Sequence, residues 1–455
     1  MIRVLFWLII PCICLHISTV SAQEPLIFNT IEETINYAIE NNNNLESARV
    51  DQEIIQAQIA EVKGRALPQI NGNAGFTDNF SLQEQQLPGE IFGGEPGTTI
   101  GVAFGNRYQY TAGVNVQQQL LNFELLTSVK SSKALAELRS LQTLLTTQDL
   151  IVNVIQTYIQ IQVYQKQVKL LQKNYDRTDN LIKLSEAKYE EGIIRKLDLN
   201  QLLVNLSNLQ TQIEDAKFGK NQQVRLFKVL LNISMNTVVV LKEKLQDREP
   251  YPLGTELLLD ANLEYQQLDK SIELSVIDEK LTKAEYFPTL TANFGYNYLG
   301  QSNELVDFEP EVYQEQWSGT WGISANIPIF DGFQRRNRLK QKEFATEQLE
   351  LDRETLKLNI EKEFGDAREQ LLLSNSQIEN QNRNMELAQE NYDGIKTSYN
   401  EGVANLTELL DSEFALRQAQ SNYLNALLQA KVAEVTLLKS SGKLSQLIAN
   451  PPGTN

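Results

Sequence analysis

The stretch YNEGVANLTELLD (Tyr399–Asp411) decides the fold, because it interrupts what otherwise reads as one continuous helix. Gly402 breaks the helical pattern, and two acids, Glu408 and Asp411, follow the break. A similar stretch, YEEGIIRKLDLNQ (residues 189–201), lies 210 residues earlier and has a glycine in the corresponding place. A break that occurs twice at the same kind of site indicates a feature of the fold.

Both breaks end a heptad repeat of apolar or aromatic residues. The positions are Phe364, Leu371, Ile378, Met385, Tyr392 and Tyr399, and 210 residues earlier Val154, Ile161, Val168, Tyr175, Ile182 and Tyr189. Such a repeat predicts a helix buried along a narrow seam against other helices. The second helix would run from about Gln334 to Tyr399, roughly 100 Å at ~1.5 Å per residue. Helical spacing resumes after each break, to about Leu231 and Leu447, so Gly192 and Gly402 are predicted hairpin turns.

Other segments also occur twice, which indicates a duplicated half-protein. LPQINGNAGF from Leu67 matches FPTLTANFGY from Phe287, and TAGVNVQQQLLNF from Thr111 matches TWGISANIPIFDG from Thr320. Repeats of about 200 residues are much longer than solenoid units. The predicted organisation is a first repeat over 23–230, an inter-repeat segment over 231–258, a second repeat over 259–447 and a tail over 448–455.

Each repeat contains two segments in which apolar and polar residues alternate. They are Pro68–Phe80, Tyr108–Val116, Leu290–Tyr298 and Trp317–Ile329. One interpretation is an antiparallel sheet with one face on a core. The other is a transmembrane β-barrel, and it is favoured by strand length and by a polar face of Asn, Thr, Ser, Gln and Gly. The predicted aromatic residues at the membrane interface are Trp317, Trp321, Tyr108, Tyr110, Tyr296 and Tyr298.

Four strands cannot close a barrel, and an open sheet edge in lipid leaves backbone groups unsatisfied. Membrane strands therefore require a ring of chains, and rings of two, three or four chains would have 8, 12 or 16 strands. The residues alone leave this number open.

The first 22 residues have the pattern of a secretory signal, with Arg3, an apolar core from Val4 to Leu15 and a small-residue cleavage site. All cysteines and histidines of the chain, namely Cys12, Cys14 and His16, lie inside this segment. The mature chain then has no Cys or His chemistry, and with no G-x-S-x-G motif we expect no enzyme, no cofactor and no metal site. Loss of Arg3 changes the formal net charge from −17 to −18, which disfavours nucleic acid as a partner. We also expect no lipid anchor.

The ordered double occurrence of these motifs resembles the TolC family of outer-membrane efflux proteins. NTIEETINYAIENNNNL (Asn29–Leu45) is similar to the family's opening T-x-x-x-A-φ-x-x-N-x-x-φ, LPQI and FPTL to its strand starts, and YEEG and YNEG to its helix tips. The resemblance implies a mixed fold: a transmembrane β-barrel of four strands per chain, 12 in a trimer, continuous with a long α-helical hairpin barrel. It implies a place in the outer membrane of a Gram-negative bacterium, extending into the periplasm. The implied partners are two further copies, outer-membrane lipid, a periplasmic adaptor (membrane fusion) protein and an inner-membrane pump of RND or ABC type.

The resemblance also implies a periplasmic gate at the hairpin tips, where Gly192 and Gly402 would meet the adaptor. Acids six and nine residues after the second glycine, here Glu408 and Asp411, would form carboxylate rings. Asp198 lies six residues after the first glycine. In the family, the acid at this position accepts a hydrogen bond from the tyrosine three residues before the second glycine, which is Tyr399 here. The family's arginine two residues after the second glycine is Ala404 here. From the residues alone, helix surface for the acids and seam packing for Tyr399 remain open alternatives.

Three classes of function are compatible with parts of these patterns. A passive exit duct accounts for the strands, the hairpins and the duplication. A structural or adhesive trimeric coiled-coil stalk with a β-anchor predicts uninterrupted helices, and a barrel enzyme needs a catalytic constellation that the sequence does not provide. Neither the cargo nor the pump class is indicated. The acidic loop at 301–316 is read as a cation site or as a solvated loop, and its composition favours the second.

Overall fold

The computed structural model describes residues 25–244, 256–305 and 314–444. The predicted signal segment, the centre of the inter-repeat segment, half of the acidic loop and the predicted tail lie outside these residues. Leu447, the predicted end of the last helix, also lies outside them.

Seven helices occupy the described residues. They are α1 (Ile31–Asn41), α2 (Asn43–Gly64), α3 (Phe123–Glu190), α4 (Lys196–Leu230), α5 (Leu263–Ala284), α6 (Gln334–Asn400) and α7 (Leu406–Ser440). The long helices α3 and α6 have 68 and 67 residues, and α4 and α7 have 35 each. At ~1.5 Å per residue, α3 and α6 are each roughly 100 Å long, as the heptads predict. Among the described helices none combines the length and the apolarity needed to cross a bilayer.

The heptad seams are buried where the helices pack together. Val154, Ile161 and Leu371 are almost fully buried, and Tyr392 and Tyr399 are also in the core. Tyr189, the last position of the first seam, is 40% exposed because it lies next to the turn. The seam prediction is therefore confirmed except at this end.

The last helix ends earlier than its apolar spacing predicts. α7 stops at Ser440, and Gly442 follows with a φ of 77°. A Cβ at Gly442 would come within 2.9 Å of the carbonyl oxygen of Leu258. The chain therefore leaves the helix where only glycine allows both the turn and this close backbone approach.

The described residues contain eight strands. They are β1 (Leu26–Phe28), β2 (Gln69–Asp78), β3 (Glu84–Pro88), β4 (Thr99–Ala103), β5 (Tyr108–Leu121), β6 (Val239–Leu241), β7 (Thr289–Ser302) and β8 (Gln314–Asn326). β2, β5, β7 and β8 form one antiparallel sheet in that order. These are the four predicted strands, with β5 extended to Leu121.

The register of this sheet keeps apolar and polar residues on opposite faces. One row across the strands is Ile70, Val116, Phe294 and Trp321, and the adjacent row is Asn71, Asn115, Gly295 and Thr320. The alternation read from the sequence is confirmed over these strands. β8 ends at Asn326, so Ile327 and Ile329 were wrongly placed in it, because Pro328 lacks the N–H that the ladder needs.

Two strand pairings were not predicted. Residues 81–107 were read as a Gly/Pro-rich loop, but they contain the antiparallel pair β3–β4. β1 pairs in parallel with β6, which joins the start of the described chain to the inter-repeat segment. Both pairs consist of strands of only five or three residues, and such short runs do not produce a clear period-2 pattern.

The largest apolar core lies where α1 and β1 meet the middle of the hairpins. Phe28 packs against Phe227 with ring centroids 6.0 Å apart, and both rings are almost fully buried. Asn42 connects the elements here: its Oδ1 caps α2 at Leu45 N (3.0 Å), and its Nδ2 donates to the carbonyl of Leu230 (2.7 Å). Asn42 is the asparagine of the predicted opening motif, and this double role explains why the motif needs it.

Candidate functional site

Both hairpins reverse through the same backbone turn. Gly192 and Gly402 have φ angles of 75° and 79°. The N–H of Gly192 donates to Tyr189 O (2.9 Å), and the N–H of the next residue donates to Lys188 O (2.8 Å). Gly402 and its successor repeat this pattern with Tyr399 and Ser398. Each turn is thus a Schellman motif, and the prediction of two hairpin turns is confirmed.

An acid occupies the third position of the helix that follows each turn, where it bonds to the N-cap residue. At the start of α7, Glu408 N donates to Asn405 Oδ1 and Asn405 Nδ2 donates to Glu408 Oε1, both at 2.9 Å. At the start of α4, Asp198 accepts from the backbone N of Arg195 at 3.1 Å. Negative side chains in the first turn also complement the helix dipole. Capping therefore accounts for the presence of an acid at both positions.

Asp198 is held by the arginine of its own hairpin. Arg195 Nη2 lies 2.8 Å from Asp198 Oδ1, and its Nε lies 3.1 Å from Oδ2. The Arg195 hydrogen bond keeps the pKa of the Asp198 carboxyl below its ordinary value. The Asp198 side chain is 15% exposed. Its pairing with Tyr399, carried over from the family, stays a prediction.

Tyr399 lies in the seam at the tip. Its ring is buried in a small apolar cluster with Leu406, Leu409 and Leu202, and Ala404 packs against the same cluster. The ammonium of Lys188 lies 5.0 Å from the ring centroid. Packing therefore accounts for Tyr399 within one chain, and its gating role stays a prediction.

Glu408 and Asp411 point away from the core of their own chain. Both are exposed, whereas Leu406 and Leu409 on the same helix are buried. Three residues along a helix correspond to about 300°, so the two acids share one face. This face is available to another copy, to water or to cations.

A buried polar cluster just above the tip was missed by the sequence reading. Glu413 is 2% exposed and accepts a hydrogen bond from Thr178 on α3. Arg417 Nη1 lies 3.4 Å from its Oε1. Burial lowers the pKa of the Arg417 guanidinium, although Glu413 opposes this shift. The signal was present in the sequence, because Glu413 falls on the apolar spacing of α7.

The predicted interface aromatics lie on the apolar face of the sheet. Tyr296 stacks on Trp317 with ring centroids 5.3 Å apart, and Tyr298 lies 4.8 Å from the same ring. Phe76 contacts Tyr110 at 5.3 Å, and also Tyr108, which is itself 8% exposed. Trp321 is four residues further along β8, about 13 Å at ~3.3 Å per residue, and it is 83% exposed. Their contact with lipid stays a prediction.

The family model described as "Outer membrane efflux protein" matches residues 34–230 and 258–443. The chain belongs to this family. The family resemblance inferred from the motifs is thereby confirmed. Each of the two matched segments contains a strand pair and a long helical hairpin.

Relatives of this outer membrane efflux protein are similar over nearly their whole length. The probable outer membrane lipoprotein SilC of Salmonella typhimurium is 23% identical over 430 residues, covering 90% of this chain and 85% of SilC. The outer membrane protein TolC of Vibrio cholerae is 20% identical over 424 residues, covering 91% of each. The crystal structure of the Campylobacter jejuni CmeC outer membrane channel superposes with a TM-score of 0.73 at 16% identity, over 92% of this chain and 88% of CmeC. The last comparison establishes a channel-type fold.

This outer membrane efflux protein departs from the family pattern at the second hairpin tip. Ala404 packs at the tip where the family's arginine is expected. The nearest guanidinium along the first hairpin, Arg195, is engaged with Asp198 of the same hairpin. Any contact of position 404 that keeps the entrance closed would therefore differ from the arginine contact that the resemblance implies.

Proposed function

We propose that this outer-membrane efflux protein is the exit duct of a tripartite efflux or type I secretion system. It would conduct substrates passively from a periplasmic adaptor and an inner-membrane pump to the exterior. The observation that carries this proposal is the continuity of one four-stranded sheet, apolar on one face and polar on the other, with two hairpins of roughly 100 Å. A polar sheet face suits a water-filled lumen, and an apolar face suits lipid.

The two edges of the sheet support a closed ring of copies. β2 and β8 are the outermost strands, so each has a row of backbone groups without a strand partner within the described chain. In lipid these groups need partners, and β8 of one copy can supply them to β2 of the next. Three copies would give the 12-stranded barrel that the family resemblance implies.

Exposed heptads on the helices support the same assembly. Phe344, Leu351 and Leu358 on α6 follow a seven-residue spacing, and each is about two-thirds exposed in the single chain. Leu197 and Val204 continue this pattern on α4. An unpaired apolar seam is stabilised by a second helix of the same kind. A neighbouring copy provides such a helix at every junction of a closed ring.

The hairpin tips are the proposed entrance and the proposed docking point of the adaptor. Val403 is 81% exposed and Ile193 is 65% exposed, each directly after the glycine of its turn. Exposed apolar side chains on a rigid turn are suited to burial by a partner protein. Glu408 and Asp411 would converge around the three-fold axis, where close carboxylates attract cations.

Single-channel recording in planar bilayers tests the proposal. The purified protein should conduct, should prefer cations, and should be blocked by divalent cations from the tip side. The double variant Glu408→Ala/Asp411→Ala should conduct with weaker selectivity and weaker block. The matched control Glu386→Ala/Glu390→Ala removes two exposed acids of α6 away from the tip and should behave like the unmodified protein.

Two results would count against the proposal in different ways. A purified, folded protein that never conducts would refute the duct itself. Conduction with a divalent block that survives the loss of both acids would refute only the acidic entrance. Loss of solute export after deletion of the gene, restored by the intact chain, would confirm the duct in cells.

A further inference from the structure

A carboxylate occupies a core position of the last helix. The buried residues of α7 near the tip include Leu406, Leu409, Glu413, Leu416 and Gln420, which are spaced alternately by three and four. This is the spacing of a coiled-coil seam, in which apolar residues are expected. Glu413 is nevertheless as buried as its leucine neighbours.

The partners of Glu413 come from both helices of the other hairpin. Thr178 Oγ1 on α3 donates to Glu413 Oε1 at 2.8 Å, and Asn205 Nδ2 on α4 donates to Oε2 at 3.3 Å. Arg417, one turn further along α7, completes the set with its ion pair. Both carboxylate oxygens are therefore bound, and the bonds cross between the hairpins.

A second layer of polar contacts lies beside the first. Asn174 Nδ2 on α3 donates to Gln420 Oε1 on α7 at 3.1 Å. The guanidinium of Arg177 contacts Asn174 and lies 4.5 Å from the ring centroid of Tyr392 on α6. The second layer lies between the apolar cluster of the tip and the large core in the middle of the hairpins, whereas Glu413 lies inside the tip cluster, between Leu409 and Leu416.

A polar group in a helical seam specifies alignment more strongly than leucine does. A leucine seam shifted by one heptad still buries leucine, so Leu406, Leu409 and Leu416 discriminate poorly between alignments. The same shift would move Glu413 about 10 Å from Thr178 and Asn205, at ~1.5 Å per residue, and would leave a charge buried without partners. Only the observed alignment satisfies the carboxylate.

The alignment of Glu413 also sets the direction of the acids at the tip. Asp411 precedes Glu413 by two residues, or about 200° around the helix, and therefore lies on the opposite side. With Glu413 held against the first hairpin, Asp411 and Glu408 face outward at a fixed height. Without Glu413, α7 keeps the contact of Gln420 with Asn174 but loses the buried charge, which discriminates more strongly between neighbouring rotations and heights.

We propose that Glu413 is a positioning residue: through Thr178 and Asn205 it fixes the height and rotation of α7, and so holds Glu408 and Asp411 at the entrance. This role rests on the proposed function of the acids. It requires no contact between Glu413 and the transported substrate.

The test replaces the ion pair by leucines, in Glu413→Leu/Arg417→Leu, which keeps the seam apolar and leaves no unpaired charge. The matched control is Glu434→Leu/Lys431→Leu, a second buried pair on α7 whose glutamate lies three heptads further along. Glu413→Gln, which keeps an acceptor for Thr178, is the second variant. Divalent block, thermal stability of the assembly and alignment of α7 are measured for each.

Alignment is measured by cross-linking Asn174→Cys with Gln420→Cys, using a short thiol-specific reagent. The predicted mature chain has no other cysteine, so the product reports only this contact. The leucine pair at 413 and 417 should keep the thermal stability but lose most of the cross-link and most of the divalent block. Glu413→Gln should keep more of both, and the control pair should change neither.

Each outcome discriminates between the claims. If the variant Glu413→Leu/Arg417→Leu keeps both the cross-link and the divalent block, the positioning role is wrong and Glu413 is a core residue without that role. Lost cross-linking with an unchanged block would overturn the link to the entrance. A reference protein that does not conduct refutes the proposed function, whereas the cross-link still tests the alignment.

Discussion

The substitution Gly402→Ala tests the hairpin turn on which the fold depends. Gly402 has a φ of 79°, and a Cβ built there meets no atom within 4 Å. Steric overlap with neighbours is therefore absent within the chain, and the whole cost comes from the left-handed backbone. For an L-residue this conformation costs about 1–2 kcal/mol.

Gly394→Ala is the matched control, because it makes the same chemical change eight residues earlier in α6. Gly394 is helical, and a Cβ there also meets nothing within 4 Å. Alanine in a helix interior is favoured over glycine by about 1 kcal/mol. The two substitutions should therefore have opposite signs, and the difference between them should be about 2–3 kcal/mol.

Hydrogen–deuterium exchange of peptides over residues 395–412 measures this local effect. A cost of 1–2 kcal/mol corresponds to about 5–30-fold faster exchange at the tip. Gly402→Ala should show this acceleration, and Gly394→Ala should slow exchange in the same peptides. Equal exchange in both variants would refute the assignment of the turn to the backbone of Gly402.

Three further changes have defined outcomes. The folded-state pKa of Asp198 is depressed by Arg195, so its stabilisation of the α4 start is present above the unfolded pKa and lost as the pH falls through the folded pKa. The exchange protection of residues 196–199, corrected for the intrinsic rate at each pH, should therefore fall in acid, and Arg195→Ala should move this transition to higher pH. Phe227→Ala removes a fully buried ring and should lower the free energy of unfolding by about 3–5 kcal/mol, measured by denaturant titration. Asn42→Ala removes a shared cap and should cost about 1–2 kcal/mol in the same titration, whereas Asn41→Ala on the adjacent exposed position should cost less.

The hairpins and the sheet were predictable because apolar residues recur in them at a regular spacing. Ile161 and Leu371 each lie seven residues from the next position of their seam, and this spacing places side chains on one side of a helix. The alternation in β5 and β7 similarly assigns each residue to a face. Gly192 and Gly402 stood out because each interrupts a long period at its end.

Contacts between residues distant along the chain were not predictable in the same way. The pairing of Leu26 with Val239 joins three-residue strands 213 positions apart, and neither strand is long enough to have a period. Some local contacts are predictable from spacing alone: Arg195 and Asp198 are three residues apart at a helix start, a spacing typical of capping. The burial of Glu413 was not predicted, because acids on a helix are usually solvent-exposed, although its spacing from Leu409 and Leu416 indicated burial.

The duct requires that the sheets of three copies close into one barrel, and cross-linking of the sheet edges tests this most directly. A cysteine at Asn73 on β2 would be combined in turn with one at Ser318, Thr320 or Ser324 on β8, the opposite edge of the sheet. Oxidation of the membrane-inserted protein should give covalent trimers on a denaturing gel for one of these pairs, and none when either cysteine is omitted. A cross-linked monomer, or no product from any pair in a folded protein, would contradict the three-copy barrel.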